Sequence, residues 1–246
     1  MRKTVIMIPT YNEKENISRL IQEILALKTP TSENHILVVD DNSPDGTSPA
    51  VAEIAAREPR VRLLTRTKKR GRGTAGIDGF REALNFGADY VIEMDADFSH
   101  HPKYIPALIE AADQGAQVVL GSRFVPGGAD KDRGFYRQTV TKLAGLYVRM
   151  LLGLRIRDVS SGFRCFRREA LEKIDLENLI STGPSIVLEI LYKCVLVGMK
   201  IVEVPIIFID RRQGMTKLNW LTLVETLLMV VKLRDMKKSG ILLTSK

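Results

Sequence analysis

The sequence predicts an α/β fold: a doubly wound, mostly parallel sheet with a C-terminal amphipathic helical extension. Three observations carry this. Short, β-rich apolar runs alternate with helix-spaced segments through the first half of the chain. The alternation has the spacing of βαβ units, which build parallel sheets. Polar turns follow directly on the apolar runs, and right-handed crossovers bring such turns to one sheet edge, where ligands bind.

The elements follow in order. Residues 5–8 form an apolar strand, followed by Pro9-Thr10-Tyr11-Asn12-Glu13. Residues 13–27 carry Ile17, Leu20, Ile21, Ile24 and Leu25 at helical spacing. Residues 36–39 are the second strand, ending in Asp40-Asp41-Asn42-Ser43-Pro44-Asp45. Turn chemistry at Pro44-Asp45-Gly46-Thr47 then leads to Ser48 as an N-cap, with Pro49 at the first helical position. Residues 61–64 are a strand, 74–86 a helix and 90–94 a strand ending in Asp95-Ala96-Asp97. Residues 102–112 are a helix and 117–120 a strand, followed by Gly121-Ser122-Arg123.

After Arg123 the pattern changes. A charged, glycine-rich loop precedes a helix over residues 137–152, and residues 158–164 read as a polar turn. Residues 184–197 form an apolar helix, and 200–208 a strand interrupted by Pro205. Residues 210–217 are a charged loop. The helix over 218–238 has a wide apolar face, with Lys232, Arg234, Lys237 and Lys238 near its end. The expected division is a catalytic domain over 1–217 and a C-terminal amphipathic, membrane-surface helix over 218–246.

Bulk composition narrows the class. The chain has 246 residues, 45% of them hydrophobic, which suffices for a sizeable core. Lys and Arg outnumber Asp and Glu by 37 to 29, a net charge of +8 that suits an anionic partner. No nucleic-acid motif accompanies that charge, and the acidic turns oppose a nucleic-acid binder. Cys165 and Cys194 sit in apolar surroundings without metal-ligand spacing, as expected of reduced core residues in the cytoplasm. There is no signal-peptide pattern and no apolar run near the ~20 residues needed to span a bilayer.

Asp95 and Asp97 are the sharpest chemical signal. Two hard carboxylates at a strand end suit Mg²⁺ or Mn²⁺, which take one or two carboxylates plus substrate phosphates. Read alone, they serve equally well as a solvated turn capping the next helix. Asp40 and Asp41 stand where acidic residues hold a ribose in dinucleotide folds, though their neighbours also favour an ordinary turn. Gly71-Arg72-Gly73-Thr74-Ala75 opens a helix and reads as a loop or as a phosphate cradle. Arg123, Arg137, Arg211, Arg212 and Lys217 read singly as surface charges and together as a cationic pocket for phosphate. His100-His101 reads as a supporting loop pair rather than as metal ligands.

Taken in order, PTYNE, DDNSPDGT, DADFSHHP, GSRF, SSGFR and the late EVPI…DR…Lys217 resemble the family 2 glycosyltransferases. More narrowly they resemble the dolichol- and polyprenol-phosphate mannosyltransferases, over residues 4 to 217. The resemblance implies the GT-A fold. It implies donor contacts from Pro9, Tyr11, Glu13, Val38, Asp40 and Asp95, with Arg211 and Lys217 on the diphosphate. It implies a divalent ion at Asp95 and Asp97 with Ser99 beside it, and an acceptor phosphate held by Arg123 and Arg137. Asp97, Arg123 and Arg137 are then the catalytic group.

Implied, too, are GDP-mannose as donor, polyprenyl phosphate as acceptor and a peripheral place on the cytoplasmic face of a membrane. The anchor is the C-terminal helix or, alternatively, a small membrane-spanning subunit. Transfer of glucose or an amino sugar from a UDP-sugar is the alternative within the family. A sugar nucleotidyltransferase is disfavoured by the position of the glycine-rich run. The sequence departs from the family pattern at Gly71-Arg72-Gly73, at Pro184-Ser185-Ile186-Val187-Leu188-Glu189 and at Thr216.

Overall fold

The computed structural model describes residues 1–67, 71–132, 134–181, 183–209 and 220–238. In chain order the elements are β1 (Arg2–Thr10), α1 (Lys14–Leu25), β2 (Ser32–Asp40), α2 (Thr47–Ala55), β3 (Val61–Thr65), α3 (Arg72–Asn85) and β4 (Tyr90–Glu93). A 3₁₀ turn (Pro102–Tyr104) leads into α4 (Ile105–Asp113), then β5 (Val118–Ser122), β6 (Ala129–Lys131) and α5 (Phe135–Leu152). β7 (Arg164–Arg167), α6 (Arg168–Lys173), α7 (Ile186–Leu196), β8 (Ile201–Pro205), β9 (Ile207–Ile209) and α8 (Trp220–Lys238) complete the described chain.

The main sheet has the order β3-β2-β1-β4-β7-β5-β8. Its strands are parallel except β7, which runs antiparallel between β4 and β5. Helices cover both faces, so the central strands are apolar throughout rather than alternating. Val5, Met7, Leu37 and Val39 point into one core and Ile6, Ile8, Ile36 and Val38 into the other. Gly79 lets α3 lie close to the sheet, since a Cβ there would sit 2.7 Å from Met7 Cγ.

Three expectations are corrected. Helix α2 begins at Thr47 after a left-handed Gly46 (φ +94°), and Ser48 does not cap it. Helix α3 begins at Arg72, which places the glycine-rich run in its first turn. The SSGFR stretch does not end as a turn. It feeds β7, a strand too short to show a period in the sequence.

A second, two-stranded sheet is formed by β6 and β9, which pair in parallel. Helix α8 packs on α5, and its Val230 and Leu233 share a core with Val148 and Leu152. Among the described residues no helix is long and apolar enough to cross a membrane. Arg211, Arg212, Thr216 and Lys217, with the rest of the charged loop, lie outside the described residues.

Candidate active site

The carboxyl ends of β1, β2 and β4 lie side by side, because β1 pairs with β2 on one flank and β4 on the other. The turns after β1 and β2 are stitched together. With Asn12 in the left-handed region (φ +60°), successive N–H groups face the second turn. Asn12 N donates to Ser43 Oγ (2.9 Å), Glu13 N to Thr47 Oγ1 (3.0 Å) and Lys14 N to Asp45 Oδ2 (3.0 Å). The two motifs therefore form one surface, on which Tyr11 is half exposed.

Asp40 is turned inward. Its carboxylate accepts from Ser43 N (2.9 Å), Ser43 Oγ (2.5 Å), Ser48 Oγ (2.6 Å) and Thr10 Oγ1 (3.2 Å), and the residue is fully buried. It holds the shape of the turn. Val38, expected beside a donor base from the resemblance, is buried in the core, with no exposed side chain to offer a ligand. Asp41 accepts from Gly71 N (2.7 Å) and pairs with the buried Arg66. Arg66 also donates to Asp78 Oδ2 (2.8 Å) and Thr74 Oγ1 (2.6 Å), which fixes the start of α3 to the end of β2.

The acidic turn after β4 is partly open. Asp97 Oδ1 accepts from Ser99 N (3.1 Å) and Ser99 Oγ (2.5 Å), so the buried Ser99 acts as a brace that orients Asp97. Asp95 is 28% exposed, with Arg72 Nη2 2.6 Å from its Oδ1. Asp95 N donates to His100 Nδ1 (3.2 Å), which puts the His100 proton on Nε2. Burial against Phe163 and Phe208 lowers the His100 pKa, outweighing the pull of Asp95. His100 is thus a neutral prop, and its 3.4 Å approach to Asp95 Oδ2 is not an ion pair.

Among the described residues no three His, Cys, Asp or Glu side chains converge into a metal cage. Asp95 and Asp97 nevertheless fit a Mg²⁺ or Mn²⁺ that completes its shell with water and substrate oxygens. Ser99 fixes the orientation of one of the two carboxylates.

Arg123 follows β5 and is 8% exposed. Asp158 grips it with a fork: Nε donates to Oδ2 (2.8 Å), Nη2 to Oδ1 (2.7 Å), and Arg123 N to Oδ2 (3.0 Å). Nη2 also donates to Ser160 Oγ (2.7 Å), while Nη1 makes no hydrogen bond among the described residues. Asp158 is itself set by Glu203 of β8, which accepts from Arg157 N (2.8 Å) and Asp158 N (2.9 Å). Burial alone would lower the Arg123 pKa, but Asp158 raises it, and Asp95 contributes in the same direction. Asp130 raises it as well, ahead of Asp95. Arg137 stands in the first turn of α5, which Gln138 Nε2 ties to β6 through Asp130 O (3.0 Å).

The structure thus gathers Tyr11, Glu13, Asp95, Asp97 and Arg123 about one edge, with Asp40 and Ser99 supporting from behind. Sequence reasoning missed Asp158, Arg72 and the buried pair of Glu93 with Arg164. Arg164 Nη1 also donates to Val187 O (2.8 Å), joining β4 and β7 to α7. The available signal was Asp158 two residues ahead of the SSGFR motif, which reads as turn chemistry until its partner is known.

The family model for glycosyl transferase family 2 matches residues 5–175. The chain is 41% identical over 219 residues to the polyprenol monophosphomannose synthase of Mycolicibacterium smegmatis, covering 89% of this chain and 82% of that one. It is 40% identical over 217 residues to the undecaprenyl-phosphate mannosyltransferase of Micrococcus luteus, covering 88% of each. It is 40% identical over 237 residues to the dolichol-phosphate mannosyltransferase of Pyrococcus furiosus, covering 94% of this chain and 63% of that one. Among solved structures, glucosyl-3-phosphoglycerate synthase from Mycobacterium tuberculosis, in complex with Mn²⁺, UDP-glucose and glycerol 3-phosphate, superposes with a TM-score of 0.66. That match has 20% identity and covers 98% of this chain and 81% of that one, a likeness of fold.

Proposed function

Because this chain belongs to glycosyl transferase family 2, we propose that it transfers mannose, with inversion, from GDP-mannose to a polyprenyl monophosphate, yielding polyprenyl-phosphate mannose. The relatives named for polyprenol-, undecaprenyl- and dolichol-phosphate mannose transfer support the acceptor class and the sugar. The observation that carries the reading is the meeting, on one edge, of the acidic turn at Asp95 and Asp97 with the buried, charged Arg123. One end suits a donor diphosphate with its cation, the other an anionic acceptor.

A phosphate oxygen of the acceptor attacks C1 of the sugar, forming a C1–O bond as the bond to the nucleoside diphosphate breaks. The phosphate monoester is already largely ionised at neutral pH, its second pKa being about 6, so no protein base is needed. The task of the protein is to bring two anions together. Arg123 holds the acceptor phosphate through Nη1, the corner of its guanidinium that Asp158 and Ser160 leave open, and Arg137 assists from α5. Asp95 and Asp97 would hold a Mg²⁺ or Mn²⁺, which would supply positive charge against the departing diphosphate. Arg211 and Lys217 are proposed to screen the same group. Tyr11, Pro9 and Glu13 supply the nucleotide surface, with Asp40 shaping it.

The acceptor's lipid tail calls for a membrane surface. The exposed apolar residues of α5, Phe135, Tyr136, Leu143, Leu146, Tyr147 and Met150, fall on one side at helical spacing, with Lys142 and Arg149 along one border. Such a face suits an interfacial helix on an anionic membrane, and α8 exposes Val224 and Leu228 as well.

The test supplies polyprenyl phosphate with labelled GDP-mannose, UDP-glucose or UDP-GlcNAc in separate reactions, and counts label in the lipid extract. Product from GDP-mannose alone is expected. Product from a UDP-sugar alone would replace the donor. Asp97→Ala is expected to lose roughly 10²–10³ in rate, the scale of one transition-state charge contact.

A further inference from the structure

Arg72 is a side chain at the acidic edge to which the proposed reaction gives no task. It occupies the first turn of α3, where exposed N–H groups and aligned peptide dipoles disfavour a cation. Its own helix therefore gains nothing from an arginine, and a local rule broken without local benefit points to a site. Its Nη2 lies 2.6 Å from Asp95 Oδ1, and both side chains are partly open to solvent, at 37% and 28%. Asp95, Glu93 and Asp97 all favour its charge, in that order apart from the opposing cost of burial. Glu93, however, is already paired with Arg164.

Space for the guanidinium is made from across the site. A Cβ on Gly162 would lie 2.7 Å from Arg72 Nη2, so the glycine of the SSGFR motif leaves room for the arginine. The cation, the carboxylate it meets and the gap it fills come from three separate segments of the chain.

We propose that Arg72 is a resident counter-cation of the acidic turn, competing with the divalent ion for Asp95 and so setting how tightly that ion binds. The inference rests on the reading of Asp95 as a metal ligand. Without the ion, Arg72 relieves the repulsion between the clustered carboxylates. When the ion arrives, two like charges cannot share Asp95, and the guanidinium gives way. Affinity for the ion is therefore lower than the bare carboxylates would provide.

The test measures binding of Mn²⁺ alone, without nucleotide, to the full chain by the loss of the free-ion EPR signal at fixed ionic strength. Arg72→Leu and Arg72→Gln are expected to bind Mn²⁺ about tenfold more tightly than wild type, the scale of removing one charge-assisted hydrogen bond from the competing state. Arg72→Lys, which keeps the charge, is expected to stay near wild type. Adding Asp95→Asn to Arg72→Leu is expected to abolish the gain. Unchanged or weaker binding in both neutral variants overturns the proposal. Undiminished Mn²⁺ binding by Asp95→Asn alone overturns instead the reading of Asp95 as a ligand, and the proposal with it.

Discussion

Arg123 and Asp158 form a buried fork, with Nε 2.8 Å from Oδ2 and Nη2 2.7 Å from Oδ1 and side-chain exposures of 7% and 0%, although they stand 35 positions apart in the chain. The pair keeps a guanidinium charged and aimed where water would otherwise solvate it. Removing one partner of such a buried pair strands the other and costs about 3–5 kcal/mol. Asp158→Asn is expected to lower stability by that order in urea unfolding. It is also expected to raise KM for the acceptor more than KM for the donor, because Arg123, proposed to hold the acceptor phosphate, loses its orientation. Equal effects on both KM values would mean that Arg123 does not serve the acceptor.

The same pair predicts an acid limb. Burial pushes the Asp158 carboxyl up, but hydrogen bonds and charge from Arg123 outweigh it and leave the pKa below the ordinary value. The unfolded chain, titrating near 3.9, then binds more protons than the folded one between the two pKa values, so stability rises with pH there. The contribution is fully present above about pH 5 and is lost as pH falls through the folded pKa. The stability gap between wild type and Asp158→Asn is expected to hold steady from pH 7 to about 5 and to narrow only below about 4. A gap that starts closing near pH 6 would contradict the assignment.

Ser43 joins two turns through one hydroxyl, donating to Asp40 Oδ1 (2.5 Å) and accepting from Asn12 N (2.9 Å). Ser43→Ala is expected to cost about 1–3 kcal/mol, the scale of leaving buried polar groups unsatisfied. Nucleotide affinity, measured by calorimetry with the nucleoside diphosphate, is expected to fall with it, since Tyr11 and Glu13 lose their shared frame. Wild-type affinity in a destabilised Ser43→Ala would separate the turn from the donor site.

Phe135 and Met150 of α5 are 85% and 76% exposed, a large apolar area for a surface helix. Replacing Leu143 and Met150 by Ser is expected to reduce flotation with anionic vesicles at least several-fold, while turnover of a short-chain, water-soluble acceptor phosphate is retained. Undiminished flotation would assign membrane contact to another surface, with α8 the next to test.

Much of the architecture was legible because it rests on local physics. Apolar runs at residues 5–8, 36–39 and 90–94 mark strands that the structure contains as β1, β2 and β4. The order of the polar motifs pointed to a family that the comparisons bear out. Local signals misled where a distant partner won. Ser48 before Pro49 reads as an N-cap, yet its hydroxyl donates to Asp40 (2.6 Å) and the helix starts at Thr47, two residues earlier than Pro49. Val38 stands just before the Asp40-Asp41 turn, yet its side chain belongs to the core.

By itself, the sequence determined the alternation of strands and helices, the gathering of polar turns on one edge and the family. Periodicity and turn propensity depend on neighbours along the chain. Only the tertiary structure decided that Asp158 aims Arg123, that Ser99 braces Asp97, that Asp40 faces inward and that Arg72 meets Asp95 beside Gly162. Most of these contacts join side chains from separate segments, and the sheet topology brings those segments together. Even the Ser99 brace needs the backbone turn at Phe98, whose φ of +60° is not written in local propensity.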